Sequence, residues 1–121
     1  MLLEAAIVHT RLNAAVAAVS EFADAVALLV QLVQDFPDDM IYRSQLGNTL
    51  IRSAAFSYSQ GKSDVALEQL AKAETHVREI LRLVPDHAEA LALSEAIARF
   101  RAEIPNATDQ TKETPAQAQR P

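Results

Sequence analysis

The sequence predicts an all-α fold, a run of antiparallel helical hairpins with about five helices. Apolar residues recur at alternating steps of three and four in three separate stretches, the spacing that places them on one face of a helix. Pro37 and Pro85 interrupt the pattern, and each is followed by an aspartate suited to starting a new helix. Half of the 121 residues are apolar and only two are glycine. That composition, rich in Ala and Leu, favours helix and argues against wholesale disorder.

Taken in order, Leu2–Thr10 is expected as a short first helix, apolar at Leu2, Leu3, Ile7 and Val8. Ala14–Asp35 follows, with Val16, Val19, Ala23, Val26, Val30 and Val33 on one stripe that must be covered. This stretch has the length of a membrane span. Glu21 and Asp24 sit near its middle, however, and an acid at that depth costs about 2.5–3.5 kcal/mol on insertion, so it is expected as a buried helix of a soluble protein. Pro37 ends it near Phe36, and Asp38 stands where an N-cap is wanted. Asp39–Ser59 then forms a third helix carrying Leu46, Leu50, Ala54 and Phe56. Gly61 suits a left-handed C-terminal cap, and Ser63 is placed to cap the next helix. Ser63–Leu83 carries Ala66, Leu70, Ala73, Val77 and Ile80, widened by Leu67 and Leu81. Pro85 stops it, Asp86 with Glu89 reads as an N-cap pair, and Ala88–Ile104 closes the domain with Leu93, Ile97 and Phe100 inward. From residue 105 to 121 the pattern stops, and this tail is expected to be disordered and dispensable for folding of the 1–104 domain.

The composition also excludes functions. A net charge of -5, with no cluster of Lys and Arg, speaks against nucleic-acid binding, which depends on concentrated positive charge. There is no cysteine. His9, His76 and His87 fall on separate elements without partners at metal-ligand spacing, so no metal site and no cofactor are expected. Neither a phosphate-binding glycine loop nor a nucleophile elbow is present, and the chain is expected not to be an enzyme. Met1–Val8 lacks the basic start of a secretory signal, and Glu4 interrupts its apolar part, which points to the cytoplasm.

An internal repeat organises the helices. Sliding the chain along itself until Pro37 falls on Pro85 lays Phe36-Pro37-Asp38 on Val84-Pro85-Asp86, Ala18 on Ala66, Phe22 on Leu70 and Ala25 on Ala73; Ala25 also aligns on Ala66, which leaves two registers for the first repeat. Leu46-Gly47-Asn48 with Leu50 on one helix, and Ala25, Leu29 and Pro37 on another, resemble the tetratricopeptide repeat, as do Ala66 and Leu70 after Gly61. The intervals from Gly47 to Gly61 and from Ala66 to Pro85 each exceed those of the usual repeat by two turns, so both helices of the second hairpin are elongated together. Repeats elongated in this way look like those trailing signalling domains in large bacterial proteins. Arg43 and Leu50 stand where that pattern has aromatic residues.

The resemblance implies a short superhelix of stacked hairpins that binds a peptide or partner domain without doing chemistry. The first helix of each hairpin would line the concave side, which on this sequence assigns Ile41, Ser44, Asn48, Ile51 and Arg52 to the binding face. Ser44, Asn48, Ile51 and Arg52 share one helix face, and there Asn48 offers an amide and Arg52 a guanidinium for a carboxylate. Chaperone-binding relatives clamp a terminal carboxylate with Lys and Asn together, and no Lys accompanies Asn48 on its helix. The apolar N-terminal helix is expected to promote self-association or to belong to a longer array. An alternative reading is a helical phosphotransfer domain with His9, followed by Arg11 and Leu12, as phospho-acceptor; acid-labile phosphate on the protein would distinguish it.

Overall fold

The computed structural model describes residues 2–105, with side chains from 11 to 105. The expected tail from 106 onward lies outside the described residues. Four helices follow one another, α1 Leu2–Asp35, α2 Met40–Ser59, α3 Ser63–Leu83 and α4 Ala88–Glu103, so the all-α expectation holds and no strand occurs among the described residues.

Among the described residues the helix count is four instead of five, because α1 runs unbroken through the expected gap between Thr10 and Ala14. No Gly or Pro occurs between residues 2 and 35, and Arg11, Leu12, Ala14 and Ala15 are all good helix formers, so α1 continues for 34 residues, about 51 Å.

The turns repeat down to their hydrogen bonds. Phe36 N donates to Leu32 O and Asp39 N to Phe36 O; at the equivalent places in the second turn Val84 N donates to Ile80 O and His87 N to Val84 O. The caps are Asp39, accepting from Ile41 N at 3.0 Å, and His87, whose Nδ1 accepts from Ala90 N at 3.1 Å. Each stands one residue after the expected Asp38 and Asp86. The proline turn uses that extra residue, leaving Asp38 and Asp86 exposed before the caps. Gly61 has φ 77° and takes the left-handed position after α2 as expected. Ser63 is not the cap of α3: it is the first helical residue, and Lys62 before it makes no side-chain cap bond.

α2 is the central helix, packed on α3 along most of its length and touching α1 and α4. The buried core runs through Leu46, Leu50 and Ala54 of α2, Ala66, Leu70, Ala73, Val77 and Ile80 of α3, and Ala90, Leu93 and Ile97 of α4. Each fully buried Leu or Ile contributes about 1.5–3 kcal/mol. Gly47 sits where α2 crosses its neighbours. A Cβ there would lie 3.3 Å from Val77 Cγ2 and 3.7 Å from Leu93 Cδ1, which explains a glycine in mid-helix. Glu74 of α3 reaches Arg101 of α4 at 3.3 Å and ties the last two helices at their surface.

α1 contradicts the expectation of burial. Among its described side chains only Val33 is buried, while Val16 is 70% and Leu12 57% exposed, with Val19, Leu28 and Val30 also open. The face that packs toward α2 is a second stripe, Ala15, Ala18, Phe22, Ala25, Leu29 and Leu32, all half-buried. Of the stripe named from sequence, only Val26 and Val33 join the core.

Candidate functional site

Asn48 and Arg52 are exposed on one side of α2, Ile41 is exposed near its start, and Ile51 is half-buried against the core. Ser44 departs from the assignment. It is 2% exposed, its Oγ has no hydrogen-bond partner among the described residues, and it belongs to the packed face with Leu46 and Gly47. A serine is small enough to enter a tight helix crossing, and three of them, Ser44, Ser53 and Ser57, are buried along α2.

Several grooves open beside α2 among the described residues. The first, about 430 Å³, lies between α1 and α3 with α2 as its floor; Val19, Phe22, Val26 and Val65 form its walls and Leu50, Phe56, Ser53 and Ser57 its base. Lys62 and Lys72 stand among its lining residues, so its apolar interior has a positive margin. Its polar base is satisfied from within: Gln69 Nε2 donates to Ser53 Oγ at 2.7 Å and Ser57 Oγ donates to Gln69 Oε1 at 3.0 Å. Sequence reading missed this ladder, although Ser53 and Ser57, four apart on a stripe with Leu46 and Leu50, were the available signal.

The second groove, about 370 Å³, lies between α1 and α2 and is lined by Ala18, Glu21, Phe22, Ala25, Thr49 and Arg52. It brings Arg52 to the same hollow as Glu21. One exposed anion and one exposed cation therefore flank a floor of alanine and phenylalanine, an arrangement that suits a side chain array of mixed charge.

His76 and His87 line neither groove. His76 Nδ1 is buried without a hydrogen-bond partner among the described residues, and burial, reinforced by the Arg43 guanidinium, holds its pKa below the ordinary imidazole value. His87 is occupied as a helix cap. The side chain of His9 lies outside those described. No group of three or more His, Cys, Asp or Glu able to hold a metal occurs among the described residues. No family model, curated protein or solved structure matches this chain.

Proposed function

We propose that the chain is a non-catalytic protein–protein interaction module of the tetratricopeptide type, with elongated hairpins, binding a peptide or partner domain on the α2 side that carries Asn48, Ile51 and Arg52. The observation that carries the interaction reading is α1, whose apolar residues Leu12, Val16, Val19, Leu28 and Val30 remain exposed, Val19 at the wall of the first groove. An apolar surface of this extent on a small soluble domain marks an interaction site. The recurrence of turn and cap hydrogen bonds at Pro37 and Pro85 supports a repeat architecture. Arg11–Asp35 is long and apolar enough to cross a membrane, yet Glu21 and Asp24 are exposed in its middle and oppose insertion. We therefore take the face as a protein contact in the cytoplasm.

The double variant Asn48→Ala with Arg52→Ala tests the assignment, because both side chains are exposed and their loss leaves the core intact. Proteins retained from the native cell by the wild-type chain should be depleted tenfold or more on the variant, at unchanged melting temperature. Equal retention overturns the assignment of this face.

A further inference from the structure

We infer that the groove between α1 and α2 receives an amphipathic helix from a partner protein, seated as α2 itself is seated on α3 and α4. This deepens the interaction reading above and rests on it. The open groove is lined by Ala18, Glu21, Phe22, Ala25, Thr49 and Arg52. The shift that carries Pro37 onto Pro85 carries these residues onto Ala66, Gln69, Leu70, Ala73, Ile97 and Phe100.

Those six residues form the seat of α2. Gln69 holds Ser53 and Ser57 of α2 by hydrogen bonds, and Phe100 meets the Tyr58 ring edge-on at 5.8 Å. Gly47 lies against Ala73 and Val77. Ala66, Leu70, Ala73 and Ile97 are at most 1% exposed beneath it. Their images Ala18, Phe22, Ala25 and Thr49 are only half-covered. The same surface is thus built twice, once filled by a helix and once open.

The differences between the two seats state what the occupant must carry. Gln69, which both donates and accepts, is replaced by Glu21, which as a carboxylate only accepts; the residue taking the place of Ser53 must donate, and a lysine or arginine does so with charge. Phe100 is replaced by Arg52, which calls for an acidic or aromatic residue at the place of Tyr58. Over Ala18 and Ala25 the occupant needs a small residue and leucines at the spacing of Leu46, Gly47 and Leu50. The chain's own α4 does not meet this: Glu95 stands at the place of Gly47, and its carboxylate, paired with Arg99, would face apolar Leu29.

The test uses two synthetic peptides with the sequence of residues 40–59, one with Ser53→Arg and one with Ser53→Glu, titrated by fluorescence anisotropy against the full chain and its Glu21→Lys variant. Glu21 is exposed, so the variant keeps the fold. The arginine peptide should bind the wild-type chain at least tenfold more tightly than the glutamate peptide, and the order should reverse on Glu21→Lys. Absence of binding by both peptides, or binding indifferent to the reversal, overturns the helical occupant while leaving the Asn48 and Arg52 result to decide the interaction reading by itself. Self-association of the wild-type chain that Glu21→Lys abolishes would place a second copy in the groove and overturn a separate partner.

Discussion

At the scale of single residues, Gly47 and His76 show how closely α2 and α3 approach. Replacing Gly47 by Ala gains about 1 kcal/mol of helix propensity but sets a methyl 3.3 Å from the stiff, β-branched Val77. These effects nearly cancel, and urea unfolding should show a change of under about 1 kcal/mol. Gly47→Leu has no such balance, and overpacking of about 1–3 kcal/mol or more is expected. His76 titrates in the opposite sense to a histidine with an acidic partner. Because burial and Arg43 lower its folded pKa, the unfolded chain binds the proton more readily. Its contribution is fully present above the ordinary imidazole value and is lost as pH falls below about 6.5 toward the folded pKa. The melting temperature should therefore drop from pH 7.5 to pH 5 by more in the wild type than in His76→Gln; parallel curves for the two proteins would remove His76 from the account.

At the scale of elements, the contact of α2 with α3 combines apolar packing with one buried polar ladder, and the ladder makes a sharp demand. Gln69→Ala leaves Ser53 and Ser57 without their partner and should cost about 1–3 kcal/mol, whereas the triple change to Ser53→Ala, Ser57→Ala and Gln69→Leu should recover most of it. Chemical denaturation of both variants checks the pair. The boundaries of α2, α3 and α4 are legible in the sequence because Pro37, Gly61 and Pro85 act locally, through ring geometry and positive φ. α1 is less legible for two physical reasons. Its His9-Thr10-Arg11 stretch is polar without containing a breaker, and polarity alone does not end a helix. Its apolar residues also form two interleaved stripes, one led by valines and one by Phe22 and Leu29, and periodicity cannot choose between stripes of equal period. The packed face combines Phe22, Leu29 and Leu32 with the small Ala15, Ala18 and Ala25, which let α2 come close. Ser44 is hidden for a related reason, since a serine inside a helix reads as polar surface until the crossing that buries it is known. The second groove required the tertiary pairing of α1 with α2, although the shift of Pro37 onto Pro85 already pairs its residues with the seat of α2.

At the scale of the whole molecule, core and exposed apolar surface are unevenly shared. Among the described residues, α2, α3 and α4, with Ile104 just after α4, supply all the buried hydrophobic residues except Val33, and α1 lies along them with one stripe half-covered and the other open apart from Val26 and Val33. Leu12, Val16, Val19 and Ala23 follow the alternating four and three spacing of a helix–helix seam and are open; Val26, next on the stripe, packs against the core, Val30 beyond it is open again, and Glu21 and Asp24 lie off that stripe. Both acids are exposed to one side of the strip available for contact. Substituting Val16→Lys together with Val19→Glu should therefore leave the melting temperature of a dilute sample unchanged, since exposed positions cost less than about 0.5 kcal/mol. The same substitutions should reduce concentration-dependent association measured by light scattering. A fall of several degrees in dilute solution would mean that these valines support the fold itself, and a scattering profile identical to wild type would mean that the seam carries no association.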